Sequence, residues 1–242
     1  MPKHFSPPRK PVLVVWRNRL GMCFAVLTLA FSLTQPGQSF FNWACYELGF
    51  NDNRSETGLL EVHIIDVGKA DAILIRSGGH TALIDAGKPI SSGTVVDYLI
   101  RNNVNYLDFL IMSHPDSDHI GGMPGLLKEL GVGTFIRSGT SYSSGEGFEL
   151  QELHDVLEWK NIDTVKLELG DSFAVGEAIF TVVGPVGSFE DPNNSSLVLR
   201  MDCKDFSAMF CGDMEYEAEQ ALILSGQDID IESGSGIAFT GY

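Results

Sequence analysis

Between Leu107 and Gly122 a nearly unbroken apolar run, "LDFLIMS", stops abruptly at "HPDSDHIGG". A short apolar run bounded by turn residues is the pattern of a strand buried on both faces. Such a strand needs one layer above it and another below, which confines the chain to layered folds. The run ends in six residues that hold two histidines and two aspartates: His114, Asp116, Asp118 and His119. Loops after buried strands are where α/β architectures place their sites.

The flanking sequence supplies the other layers. "LLEVHIIDV" (59–67) alternates as a strand, and "DAILIRSGGHTALIDAG" (71–87) is two apolar runs around Gly78-Gly79, a hairpin pattern. Helical spacing appears in 94–103, in "GMPGLLKELG" and in 148–161, and a further helix over 215–226 ends at glycine. "VGTFIRSG" and then five short runs from "DTVKLEL" to "FSAMFCGD" are strand-like. Two packed sheets with helices outside, an αββα sandwich in the α/β class, accommodate this order. Met201 and Met209 fall in the strand region and are expected in the core.

The chain has 242 residues, enough to bury a core without disulfides. Its formal charge is −16, unevenly spread. Residues 1–46 hold five basic residues and no acid, so the rest carries 11 basic against 32 acidic residues, a balance of −21. An acidic body repels polyanions, so DNA binding driven by bulk charge is not expected. The four cysteines form no disulfide framework, and the hairpin register expected around Lys204-Asp205 keeps Cys203 and Cys211 from facing each other.

Residues 1–19 are basic, and 20–34 contain the 14-residue apolar run "LGMCFAVLTLAFSL". Basic, then apolar, then small and polar is the order of a secretory signal, and the run is short for a full membrane span. A cleaved signal peptide and an uncleaved membrane anchor both fit, and a buried helix is the third reading. The first two place the acidic body outside the cytoplasm, secreted or anchored. Residues 35–57 read as a linker, 58–226 as the functional domain and 227–242 as an atypical tail whose Gly/Ser content does not suggest a buried strand.

Imidazole and carboxylate are metal ligands. In an extended stretch His114, Asp116 and Asp118 project to one side, while Asp118 and His119 diverge and could serve two ions. Four such groups in six residues fit a two-metal site better than a one-metal site. A polar turn capping the following helix is the plainer alternative.

"SHPDSDHIGG" resembles the HxHxDH signature of the metallo-β-lactamase fold, with aspartate at the second ligand position. "VHIIDVGKADAILIRSGGHTALIDAG", "NNSSLVLRM" and "FCGDM" resemble one branch, the hydrolase domain of ComEC-type DNA-uptake competence proteins. The resemblance spans residues 59–224. It implies an αββα sandwich with one or two metal ions, usually zinc, with manganese as the alternative. His114 and Asp116 would take the first ion, Asp118 and His119 the second. Asp213 would bridge them, and Asp118 would also orient the attacking water. Asn193 or Asn194 occupies the region where many members carry a further histidine. Asp66, Asp71 and Asp85 match motif aspartates and read as turn and hydrogen-bond supports.

The chain departs from the pattern at two places. No histidine follows His154, although relatives carry a late histidine ligand, so a closing segment is expected to be lacking and the protein truncated or degenerate. Lys69 and Ala70 stand where the branch has Gln and Gly; Lys69 reads as a phosphate contact or a solvated lysine. His63, His80 and His154 are expected to pack or lie at the surface. The resemblance implies an exported hydrolase using metal-bound hydroxide, phosphodiesterase or nuclease-like, acting on a small phosphodiester or on nucleic acid. The alternative is a catalytically degenerate binding module of the same fold. A β-lactam or lactone substrate is a third reading that no residue selects.

Overall fold

The computed structural model describes residues 59–140, 147–229 and 236–239. The segments 1–19, 20–34 and 35–57 lie outside the described residues. Residues 52–242 form the compact unit considered below. No helix among the described residues is long and apolar enough to cross a membrane.

The first sheet runs β1 (Leu60–Ile64), β2 (Ile73–Ser77), β3 (His80–Ile84), β4 (Tyr106–Ile111), β5 (Gly131–Ser138) and β6 (Asp163–Leu167), each beside the next. β1, β2 and β3 pair antiparallel, and β3 to β6 pair parallel. Parallel neighbours need crossover connections, supplied here by α1 (Ser92–Arg101), α2 (Ser117–Ile120), α3 (Met123–Glu129) and α4 (Phe148–Lys160). The second sheet contains β7 (Ser172–Val175), β8 (Ala178–Gly184), β9 (Val198–Cys203), β10 (Phe206–Phe210) and β11 (Gly236–Phe239), in the order β11-β10-β9-β8-β7. A further α-helix, α5 (Tyr216–Leu224), follows β10.

Strand periodicity sorts the core into layers. Leu74 points to one face and Ile73 and Ile75 to the other, as period-two geometry demands. Leu74, Leu83, Leu107, Leu110 and Phe135 pack with α1, α3 and α4 through Val95, Leu99, Leu126, Leu127 and Leu153. Ile73, Ile75, Ile84, Ile111 and Ile136 face the second sheet and meet Phe180, Val182, Leu199, Met201 and Phe210. The outer face of the second sheet, with Val183, Val198, Met209 and Cys211, packs on Leu222 of α5. The result is the expected αββα sandwich, with Met201 and Met209 buried. Cys203 and Cys211 are free thiols.

One expectation is refined and one needs correction. The segment 227–242, whose composition does not suggest a buried strand, contributes a strand at the sheet edge: Gly236–Phe239 pairs parallel with Ser207–Phe210. The edge of β10 offers a row of backbone donors and acceptors, and pairing with it needs little from the partner's composition. Residues 117–120 are also helical rather than extended. Asp118 and His119 therefore leave one helical turn, and their directions do not follow the alternation of a strand.

Candidate metal centre

The HPDSDH segment follows β4 and is tied down by backbone hydrogen bonds. Ala86 N–H donates to the His119 carbonyl at 2.8 Å, and Gly122 N–H to the Gly87 carbonyl at 2.8 Å. The glycine pair after the motif permits this closeness. A Cβ on Gly122 would stand 2.0 Å from the Ala86 carbonyl oxygen, and one on Gly121 would stand 2.7 Å from Pro89 N. Asp71 N–H donates to the Asp118 carbonyl at 3.3 Å, so the β1–β2 loop is stitched to the same segment.

Three ligand atoms, one each from His114, His119 and Asp213, lie within 4.8 Å of one another. The histidines come from the segment after β4 and Asp213 from the loop after β10, so the two sheets contribute jointly. The rings of His114 and His119 have centroids 4.1 Å apart. His114 is fully buried, yet its Nε2 has no hydrogen-bond partner. Asp213 Oδ1 lies 3.2 Å from His119 Nε2 but off the line of a hydrogen bond, so the pair is held by charge more than by alignment.

A hydrogen-bond network behind the trio sets which nitrogen carries each proton. Asp85 is buried and adopts φ 57°, a left-handed conformation unusual for a residue with a side chain. Its carboxylate accepts from Ser113 N–H at 3.0 Å, from Ser113 Oγ at 2.5 Å and from His119 Nδ1 at 2.9 Å. A carboxylate only accepts, so the Ser113 hydroxyl proton is committed to Asp85. Ser113 Oγ is then the acceptor for His114 Nδ1–H at 3.1 Å. Both imidazoles thus donate through Nδ1 and turn Nε2 toward the trio, the orientation a metal requires. The orphaned His114 Nε2 fits this reading. The residues present therefore suit a divalent cation bound by His114, His119 and Asp213.

The titration behaviour follows from this geometry. Burial, reinforced by His119, holds the His114 imidazole below its ordinary value and so neutral. Burial also opposes charge on His119, but the flanking Asp213 and Asp85 outweigh it and push that imidazole up to about 11. The same pairing holds Asp213 below the usual carboxylate range, against burial. Without a metal, a proton on His119 offsets one of the two negative charges of Asp85 and Asp213.

The other expected site residues are distributed around the trio. Asp116 Oδ2 lies 3.8 Å from His114 Nε2, at the trio's margin. Asp118 is outside the trio and interacts with Asp71. Asp71 is half-buried, and desolvation raises its carboxyl above the usual range, with Asp85, Asp213 and Asp118 adding to the rise against His119. Asp66 accepts from Gly68 N–H at 3.2 Å, which makes it a turn support. Lys69 is exposed, close enough to Asp213 for its positive charge to help lower that carboxyl's pKa. Asn194 Oδ1 accepts from the N–H groups of Glu215 and Ala218, and Asn193 Nδ2 donates to Glu215, so both asparagines serve the start of α5. His63 bonds Tyr98 and Glu61, and His80 pairs with Asp108, well away from the trio in the fold. Sequence reasoning gave no role to Ser113. Its only signal was its place directly before the motif.

An αββα sandwich carrying a histidine–carboxylate trio at the ends of its inner strands defines a metal-site class of protein. The description of the Metallo-beta-lactamase superfamily matches residues 65–235, and the chain belongs to that superfamily, whose fold implies a divalent metal. It is similar to ComE operon protein 3 of Bacillus subtilis (strain 168), with 28% identity over 184 residues, covering 67% of this chain and 23% of that protein. It is also similar to Competence protein ComA of Neisseria gonorrhoeae, with 25% identity over 209 residues, covering 84% and 27%. The chain thus spans about a quarter of the length of these relatives. Among solved structures it shares its fold with MEM-A1, a subclass B3 metallo-beta-lactamase from a soil metagenome library, at TM-score 0.55 and 15% identity over 79% of this chain and 81% of that one. The Rm3 metallo-beta-lactamase matches at TM-score 0.51 and 16% identity over 81% of each chain.

Proposed function

We propose that the protein is a metal-dependent hydrolase of phosphodiesters, with zinc as its ion and manganese as the alternative. The observation that carries this reading is the trio of buried His114 and His119 with half-buried Asp213, both imidazoles turning Nε2 inward. A divalent ion held there supplies Lewis-acid polarisation of a phosphoryl oxygen and an acidified water. Asp85 and Ser113 keep the imidazoles in the ligating tautomer and orientation. Asp116, beside His114, and Asp118, beside Asp71, extend the acidic margin on which a second ion would rest.

The substrate class rests on two supports. Lys69 makes no ion pair among the described residues and lies within electrostatic reach of Asp213, so it offers a positive charge to an anionic substrate at the site's edge. One of the relatives is named for competence. The −21 balance of the body favours a short phosphodiester over a long duplex held by charge. Export is part of the proposal and rests on the basic-then-apolar order of residues 1–34; N-terminal sequencing of the protein recovered from cell fractions tests it.

A second reading, a metal-binding module without turnover, is favoured by the position of Asp118 outside the trio. One experiment separates the two. Purified protein loaded with zinc or manganese is analysed for metal and assayed on bis(p-nitrophenyl) phosphate. Bound metal with hydrolysis that is lost in Asp213→Ala supports the enzyme. Bound metal without hydrolysis supports the module, and fewer than roughly 0.2 ions per chain sinks both, since either reading needs a ligated ion.

A further inference from the structure

Three buried side-chain polar atoms among the described residues have no hydrogen-bond partner: His114 Nε2, Asp213 Oδ1 and Ser196 Oγ. The first two belong to the trio. Ser196 precedes β9, is 1% exposed, and had no role in the motifs considered above. Buried hydroxyls are normally paired, so an orphan calls for a reason.

Its position supplies one. Leu197 N–H donates to the Ser113 carbonyl at 2.8 Å, which draws the start of β9 against the end of β4. Gly212, at φ +54°, closes the other side: a Cβ there would meet Ser196 Oγ at 3.0 Å and Ser113 Cβ at 3.1 Å. Ser113 immediately precedes His114, and Gly212 immediately precedes Asp213. The Ser196 hydroxyl therefore lies against Gly212, with Ser113 alongside, next to the residues that precede two members of the trio. The asparagines of the same loop are not available for this place, since both bond the start of α5. The Ser113 hydroxyl is committed to Asp85 and His114. Ser196 Oγ is the oxygen of this region left without a task.

We propose that Ser196 is a fourth ligand residue of the metal site, its neutral hydroxyl oxygen joining His114, His119 and Asp213 around the ion. This rests on the reading of the trio as a metal site. Two imidazoles, one carboxylate and one hydroxyl make a four-donor set of nitrogen and oxygen, suited to zinc, cobalt or manganese. A ligand role differs from a packing role in a measurable way. An unpartnered buried hydroxyl contributes no hydrogen bond to the metal-free protein and carries a desolvation cost there, so its removal does not weaken that state, whereas it weakens the metal-bound one.

The test uses the full chain, with Co²⁺ and Mn²⁺ as probes, in wild type, Ser196→Ala and Ser196→Cys. Affinity is read by competition with a chelator, coordination by the visible spectrum of Co²⁺, and stability by thermal melting with and without metal. Wild-type protein that takes up no Co²⁺ removes the underlying metal-site reading. If it does bind, Ser196→Ala is expected to weaken Co²⁺ and Mn²⁺ by about tenfold or more, the scale of losing a supporting ligand interaction. It also alters the Co²⁺ spectrum and does not lower the metal-free melting temperature. Ser196→Cys is expected to bring in a thiolate-to-cobalt charge-transfer band. Wild-type affinity and an unchanged spectrum in Ser196→Ala, or a Co²⁺-loaded Ser196→Cys without that band, overturns the proposal. Should the alanine variant fail to fold, the cysteine variant alone decides.

Discussion

Asp85 Oδ2 lies 2.9 Å from His119 Nδ1, and the opposite face of the same ring, at Nε2, lies 3.2 Å from Asp213. One imidazole thus separates two carboxylates, one buried and one at the site. Asp85 holds the ring's orientation and leaves Nε2 for the ligand position. Replacing it by Asn keeps the volume but substitutes a weaker acceptor and adds an amide donor beside Ser113. Asp85→Asn is expected to lower metal affinity by about 10–100-fold, the usual scale for a partner of a ligating histidine. Chelator competition with zinc checks this, and unchanged affinity would remove Asp85 from the site's support.

Ser113 acts on the other histidine. Its oxygen receives the His114 Nδ1 proton because its own proton is committed to Asp85. Ser113→Ala deletes that acceptor and leaves the buried Nδ1 without it. The proton then has no reason to stay on Nδ1, and a fraction of His114 presents N–H to the ion. Metal affinity should fall by about tenfold, and nitrogen NMR of the metal-free protein should show His114 leaving the single Nδ1–H form. An unaltered imidazole signature would refute the tautomer assignment.

The charge pairing of His119 and Asp213 gives the metal-free protein a definite pH response. His119 is raised above its ordinary 6.5 to about 11 despite burial, because Asp213 and Asp85 flank it. Its stabilising contribution is fully present below pH 6.5 and is lost as pH rises toward 11. Asp213 is lowered by the same pairing, so its contribution is present above the ordinary carboxylate value of 3.8 and is lost as pH falls through its folded value. Urea midpoints of metal-free protein should therefore be higher at pH 6 than at pH 10. A bound ion displaces the His119 proton, so metal affinity should rise with pH over the same range and loading should release protons. A metal affinity that is flat between pH 6 and 9 would contradict the pairing.

The layers were legible because apolar periodicity reports them directly: Ile73 and Ile75 against Leu74 already separate two faces. The histidines were legible from the spacing of the motif, and Asp213 only through family resemblance, since it comes from a distant loop. What sequence could not supply were relationships across the chain. The helical turn at Ser117–Ile120 overrode the alternation expected for Asp118 and His119. Asn194 looked available for the site, but its carbonyl caps α5. Ser113 and Ser196 carry no signal of their own, because a serine's role depends on which acceptor or ligand the fold brings to it. The strand Gly236–Phe239 was hidden by the Gly/Ser composition around it.

Gly122 provides the sharpest test of how the metal segment is seated. A Cβ there would stand 2.0 Å from the Ala86 carbonyl oxygen and 3.0 Å from its carbon, both rigid backbone atoms. Relief requires moving the β3 turn away from the motif, which breaks the bonds joining Ala86 to His119 and Gly87 to Gly122. It also carries the adjoining Asp85 away from His119. Gly122→Ala should cost about 3 kcal/mol or more, at the upper end of overpacking effects, and should weaken metal binding in parallel. Gly93 in α1 is the control, since a Cβ there meets nothing within 4 Å. Gly93→Ala should stabilise by about 0.5–1 kcal/mol, the ordinary gain at a helical position, without touching the site. Urea unfolding of both variants, metal-free and metal-loaded, separates the outcomes. If Gly122→Ala unfolds at the wild-type midpoint, the motif is not pressed against the β3 turn.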